Sequence, residues 1–256
     1  MKNTKAFDMK ILLFANRNAK EVLRDPINFC FGLGFPLILL ALLSIVNANI
    51  PPEAENTMFG IGNLAPGLAM FGSVFMALFA GMLLSKDRTS SFLTRLFTSP
   101  MTAAEFLLGY TTPMIIITVF QATITLLAAC LFGLPFTVNI IPAIIVTAIT
   151  SLLFIGTGLL VGSLMNDKAV GGVCGALLTN VAGWLSGIFI PIDLIGGTYK
   201  TISNILPFYH SVEAIRVVLD GSNDDILLHL AVVLGYTVVI FAIAIVVFSR
   251  KMSGDR

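Results

Sequence analysis

Charge is what this chain has least of. Only 11% of its 256 residues are Asp, Glu, Lys or Arg, whereas 57% are hydrophobic, and an ordinary soluble domain carries roughly a quarter charged residues. Scarcity on that scale excludes a soluble fold around a single core, because too few hydrated side chains remain to cover its surface. Histidine is scarcer still: His210 and His229 stand apart in the sequence, without the carboxylates a metal site would need. The three cysteines, Cys30, Cys130 and Cys174, lie within or at the edge of apolar runs and show no C-x-x-C spacing, so they read as small core residues and not as disulfides or metal ligands. The phosphate-cradling pattern G-x-x-x-x-G-K-[ST] is missing as well; Gly196-Gly197-Thr198-Tyr199-Lys200-Thr201 has a Lys-Thr but lacks the preceding glycine. No H-E-x-x-H occurs, and Ser186 has no histidine on a spanning helix to activate it, which excludes an intramembrane protease of known chemistry. The formal net charge of +1 carries no nucleic-acid signal.

What the chain has in abundance is apolar runs of the ~20 residues that cross a bilayer. Six candidate spans stand out: Ile27 to Ala48, Asn63 to Leu84, Phe106 to Phe132, Ile140 to Met165, Ala169 to Ile190 and Ile226 to Phe248. Their interiors hold no Asp, Glu, Lys or Arg, and a charge at mid-bilayer would cost about 2.5 to 3.5 kcal/mol even on the lenient insertion scale. The period-two alternation of a barrel strand is absent, so the fold class is an all-α integral membrane protein with six transmembrane helices. The first span begins late and carries no small-residue cleavage site, so it is expected to stay as an anchor. Thirteen Lys and Arg residues fall on one side of these spans and two, Lys200 and Arg216, on the other. The positive-inside rule then places both termini in the cytoplasm.

The parts between the spans have their own patterns. Residues 1–25 form an arm in which Phe7, Ile11, Phe14 or Ala15, and Val22 share one helical stripe while Lys10, Arg17, Lys20 and Arg24 lie elsewhere. This suits an interfacial amphipathic helix in the headgroup plane, ended by Asp25-Pro26; a disordered basic arm is the alternative. The spans occupy 26–249, and 250–256 are a cytoplasmic tail. Loop 85–105 is cytoplasmic. In it Phe92, Leu93, Leu96 and Phe97 recur at helical spacing, Arg88, Thr94 and Arg95 turn away, and Ser99-Pro100 stops the turn. Spacing alone makes this a short amphipathic connector. In the fifth span Gly171, Gly175, Thr179, Gly183 and Gly187 recur every four residues, with Asn180 and Trp184 beside them; such a stripe serves close helix packing, a subunit interface or a wall of a path. Phe71, Phe75 and Phe79 stand at i, i+4 and i+8 of the second span, as core or as cargo-facing groups. Spans without charge favour an amphiphilic or apolar cargo over a strongly ionic one. The outer region 191–225 reads as two short helices around Pro207, with Glu213 and Arg216 able to pair at its surface.

Taken in order, these stretches resemble a known family. Lys86 to Gly109, a charged cluster followed by a Leu/Phe-bearing helix, TSP and EFLLG, is similar to the first cytoplasmic loop of ABC-2-type transporter permeases. VLRDP with GFP at Val22 to Pro36, LVGSLMNDKAVGGV at Leu160 to Val173, SGIFIPIDLIGG from Ser186 and ILPFYHSVEAIR from Ile205 resemble its entry helix, fourth and fifth spans and outer loop. One departure is Lys86-Asp87-Arg88 with Thr89-Ser90-Ser91, where the family often has an acidic pair followed by Gly-Thr. The likeness is closer to the drug and multidrug branch than to the polysaccharide branch.

The resemblance implies a permease subunit, not an enzyme, that exports an amphiphilic drug, peptide or lipid-like molecule across a prokaryotic plasma (inner) membrane. It implies a second permease copy and a separate ABC ATP-binding subunit that carries ATP and magnesium. Lys86, Asp87, Arg88, Phe92, Arg95, Leu96, Phe97, Ser99 and Pro100, with Asn166, Asp167 and Lys168 of the second turn, would couple to that subunit. Phe71, Phe75, Phe79, Gly171, Gly175, Thr179, Asn180, Gly183 and Gly187 would pack helices or line the path. Pro191, Pro207, Glu213 and Arg216 would form an outer gate. An ion- or proton-coupled secondary transporter is the alternative, although such carriers usually hold ionisable groups near the midplane.

Overall fold

The computed structural model describes residues 2–26, 30–51, 59–90, 92–93, 101–222 and 225–254. Every regular element among the described residues is helical. Helix α1 is Lys2–Leu23; α2, Cys30–Ala48, opens with a π-helical turn; α3 is Ile61–Thr89, α4 Ala103–Leu131 and α5 Ile140–Leu164. Helix α6 covers residues 167–185 as Asp167–Val170, a π-helical Gly171–Leu178 and Thr179–Leu185. Three short helices follow, α7 Ile192–Ile195, α8 Gly197–Ile205 and α9 Pro207–Leu219, before the long α10, Ile226–Gly254.

Five helices among the described residues, α2, α3, α4, α5 and α10, are long and apolar enough to cross a membrane. The segment expected as the fifth span, Ala169 to Ile190, is helical as far as Leu185 and is not one of these five. Regular helix stops at Leu185, Gly187 takes φ +78°, and the glycines and Asn180 dilute the apolar run. The other expected spans agree with the observed helices to within a few residues, apart from 27–29, which lie outside the described residues.

Helix α3 is the hub. Of its most apolar 18-residue window 89% is buried, against 17% for α2 and for α10, and α1, α2, α4, α5, α6 and α9 all pack on it. Its closest neighbour is α5, and glycine makes that contact possible. A Cβ on Gly158 would fall 2.0 Å from the carbonyl oxygen of Ala77, and one on Gly162 2.4 Å from that of Gly81. Lipid tails are as apolar as leucine, so helices in a bilayer gain by such shape-fitted approach and little by hydrophobic burial itself.

Helix α1 lies along α4. Of the predicted stripe, Phe14, Ala15 and Val22 are buried, and the Phe14 ring meets Phe106 and Tyr110 edge-on with centroids at 5.6 and 5.0 Å. Gly109 admits that ring, since a Cβ there would be 2.4 Å from Phe14 Cδ1. Helix α4 starts at a capping box: Thr102 Oγ1 accepts from the Glu105 amide at 3.3 Å, and the Glu105 carboxylate accepts from the Thr102 amide.

Candidate functional site

The chain's most polar interior point sits where α3 leaves the helical bundle. Asp87, the second residue of the Lys86-Asp87-Arg88 cluster, is 2% exposed. Arg17 of α1 grips it with both guanidinium arms, Nη2 donating to Oδ1 at 2.8 Å and Nη1 to Oδ2. The Tyr110 hydroxyl of α4 donates to Oδ2 at 2.8 Å. Three helices thus meet on one carboxylate. The grip is extended by Glu21, whose carboxylate lies 2.5 Å from Arg17 Nη2 and 3.4 Å from Lys86 Nζ. Asn18 adds a link between α1 and α4, donating to the Gly109 carbonyl at 3.1 Å and accepting from Arg17 Nη1 at 2.9 Å. Partial burial works against the Arg17 charge, but the hydrogen bond to Asp87 and the charges of Asp87 and Glu21 outweigh it and raise the pKa above the ordinary arginine value. The same guanidinium lies over the Phe92 ring at 4.3 Å, joining the node to loop 85–105.

Arg88 is also held inside the chain. Its Nη2 donates to the Met165 carbonyl at 2.7 Å and its Nη1 to the Ser163 carbonyl, while Ser85 Oγ donates to Met165 at 2.9 Å. These carbonyls close the C-terminal end of α5, where a cation is favoured by the helix dipole. Asp87 and Arg88, expected to couple to a partner chain, both bond within this chain, because charges this close to a packed bundle need partners there. Lys86, exposed, remains at the surface, and Phe92 is half-buried beneath Arg17. In the second turn, Asn166 caps α6 by accepting from the Ala169 amide at 3.0 Å, with Asp167 in the first turn and Lys168 exposed. Arg95, Leu96, Phe97, Ser99 and Pro100 lie outside the described residues.

Within the bundle, Phe71, Phe75 and Phe79 are 3%, 5% and 3% exposed; Phe71 and Phe75 meet Phe35, Phe75 also meets Phe31 of α2, and Phe79 stacks on Phe75. All three are buried in the core of this chain. Of the small-residue stripe, Gly171 has open space where a Cβ would stand, Gly175 meets Leu78, Gly183 meets Phe189 and Phe71, and Gly187 makes the turn that ends the helix. Thr179 Oγ1 donates to the Cys174 carbonyl at 3.0 Å, a bond five residues back that suits the π-helical turn. Asn180 donates to the Ala176 carbonyl at 2.8 Å. Gln121 bonds Thr125 at 3.0 Å and lies over Gly72, where a Cβ would meet its amide at 2.1 Å.

In the outer region, Pro191 caps α7 and Pro207 opens α9. Glu213 and Arg216 do pair, but not at a wet surface: their side chains are 13% and 23% exposed. The histidines are not isolated. His210 and His229 bring their Nδ1 atoms to 2.7 Å, and His210 Nε2 lies 2.8 Å from the Asn204 carbonyl, tying α9 to α10.

Sequence reasoning missed the Arg17–Asp87–Tyr110 node, the histidine pair and the α3–α5 crossing. The last had a signal, the small-x-x-x-small pairs Gly158/Gly162 and Ala77/Gly81. The other two join residues far apart in the chain and left none.

Comparison with known proteins adds a further line of evidence. The chain is 27% identical to Nodulation protein J of Bradyrhizobium diazoefficiens over 90% of this chain and 85% of that protein. It is 23% identical to Nodulation protein J of Rhizobium meliloti over 90% and 85%. It is also 24% identical to the Probable multidrug ABC transporter permease YbhR of Escherichia coli, over 78% of this chain and 55% of that longer protein. Residues 9–219 match the family model described as ABC-2 type transporter, a span from α1 through the helical bundle to the end of α9, and the chain belongs to that family of membrane transport components.

Proposed function

We propose that this chain is the membrane-spanning subunit of an ATP-driven exporter of amphiphilic molecules. It works as two permease copies with separate ATP-binding chains, which carry the ATP and magnesium, at the cytoplasmic face of a prokaryotic plasma (inner) membrane. The observation that carries this reading is the buried Arg17–Asp87–Tyr110 node at the root of loop 85–105. A push on that loop has a stiff path into α1, α3 and α4 together, which is what a chain driven from outside by another protein needs. Residues 167–185 complete a sixth crossing: 19 helical residues rise about 28 Å at ~1.5 Å each, close to the ~30 Å hydrocarbon core. Even membrane passage puts both termini on the same side as the basic loop.

Topology and coupling are tested separately. With single cysteines introduced into a background free of the native three, an impermeant thiol reagent applied outside should label Glu53→Cys and Asn223→Cys and miss Ser90→Cys and Ser253→Cys. The reverse pattern would invert the reading. For coupling, Leu96→Asp should abolish co-purification of the ATP-binding chain and transport together, because an unpaired charge in an apolar contact costs several kcal/mol, on the order of 2 to 4. Arg95→Ala, at a wet rim, should cost far less and chiefly alter salt dependence. If Leu96→Asp leaves both binding and transport intact, the segment is a connector only.

A further inference from the structure

A cavity of about 870 Å³ opens where α1, the last turns of α3 and the start of α6 meet. We propose that it binds a single amphiphile whose headgroup carries both a phosphate and a primary amine.

The charges on its walls carry this. Arg17 and Lys86 are taken up by Asp87 and Glu21. Lys20 and Arg24 also line the cavity, are exposed, and their side chains make no hydrogen bond or ion pair among the described residues. They stand four residues apart, joined by the Arg24 amide to Lys20 carbonyl bond of 3.2 Å, so both heads can reach one anion with several oxygens. On the wall formed by α6, Asp167 Oδ1 is buried and has no hydrogen-bond partner among the described residues. The Asp167 side chain as a whole is only part-buried and has no ion-pair partner among the described residues, and an ammonium group at the cavity wall supplies one. The other acidic side chains of the lining do not compete for that amine, since Glu21 is paired with Arg17 and Lys86 and Asp25 already has a partner.

The remaining wall is apolar. Phe79 and Leu83 form its floor, and beside them Leu13 and Met82 are 66% and 37% exposed. A narrower apolar cleft shares Val22 and Phe79 with the cavity and continues this wall to Phe120. A free phosphate would leave this surface bare, and a plain hydrocarbon would leave Lys20, Arg24 and Asp167 unmatched. An amphiphile with a zwitterionic head answers both.

The test uses the purified chain in a neutral detergent, with retained lipid read by native mass spectrometry. Phosphatidylethanolamine, phosphatidylcholine and diacylglycerol of identical acyl chains are offered in turn. Phosphatidylethanolamine should be held about tenfold more tightly than phosphatidylcholine, which has the phosphate but no N–H donor, and diacylglycerol should be weakest, each step being one charge-assisted contact. Asp167→Asn should remove the difference between the first two. Lys20→Gln with Arg24→Gln should bring both down towards diacylglycerol. These positions are exposed or at a turn, and gel filtration verifies that each variant is folded. Soluble O-phosphoethanolamine at millimolar concentration should fail to displace the lipid; displacement would assign the site to a free headgroup and overturn the amphiphile. Equal retention of the three lipids, or variants indistinguishable from the parent, would overturn the site. Because no nucleotide, partner chain or flux enters this measurement, its failure leaves the exporter reading standing, and the converse holds.

Discussion

Arg17→Ala should unfold the end of the bundle where α1, α3 and α4 meet far more readily than Asp87→Asn, although the two changes break the same pair. The asymmetry follows from exposure: the Asp87 side chain is 3% exposed and that of Arg17 33%. Removing Arg17 leaves an anion sealed in the bundle with only Tyr110 to bond it, and stranding a buried charge costs about 3 to 5 kcal/mol. Neutralising Asp87 leaves a guanidinium that can turn towards Glu21 and water, a loss of about 1 to 2 kcal/mol. Arg17→Ala combined with Asp87→Asn should therefore be more stable than Arg17→Ala alone. Thermal unfolding in detergent and limited proteolysis at α1 would report it. Strict additivity of the two changes would mean that the pair is not the clamp described above, and a double variant that is stable yet silent in transport would separate the clamp's mechanical role from its structural one.

The second large effect concerns the α3–α5 crossing. Gly158→Ala should abolish the folded chain or reduce its yield severely, because the new methyl would stand 2.0 Å from the Ala77 carbonyl oxygen, and Gly162→Ala should come next at 2.4 Å from that of Gly81. Backbone meets backbone at both points, so no rotamer change relieves the clash, and forcing the helices apart costs about 3 kcal/mol or more. Gly235→Ala in α10 is the matched control, with nothing within 4 Å of its added methyl; alanine there should be neutral or slightly stabilising, since it is the better helix former. Gel filtration of the three variants, expressed in parallel, decides the matter: a monodisperse Gly158→Ala protein at parental yield would show that the two helices are not in contact as drawn.

The all-helical architecture was written in hydropathy, because a bilayer demands long apolar runs and leaves a chain few ways to satisfy its backbone. The burial of Phe14, Ala15 and Val22 was likewise legible as a period of 3.6. The fifth span shows where that reading weakens. Gly171, Gly175 and Asn180 keep the segment helical but dilute its apolar character, so composition alone gives a crossing more regular than the helix that forms. At the candidate site the difficulty was of another kind. A charge in a chain this apolar looks as though it is meant for a partner, and Asp87 and Arg88 carry the same signature whether the partner is another protein or a helix of their own chain. Arg17 lies 70 residues from Asp87 and on a different element, so its pairing within the chain depends on the way α1 lies along α4. The contact between His210 and His229 was hidden for the same reason: it depends on the angle between α9 and α10, which no local pattern encodes.

The placement of α3 at the hub has a bearing on how the protein is made. The helices that bury it most closely, α4 and α5, are synthesised after it, so the newly inserted α3 must wait in the membrane with its packing faces open. In water such a segment would be an aggregation hazard. In lipid its apolar side chains are already solvated, and the notches at Ala77 and Gly81 present backbone rather than bulk. The crossing that holds the finished bundle together is thus also a docking point kept vacant during biogenesis, and a slow or misordered arrival of α5 would leave an early-inserted helix open to capture by the wrong neighbour.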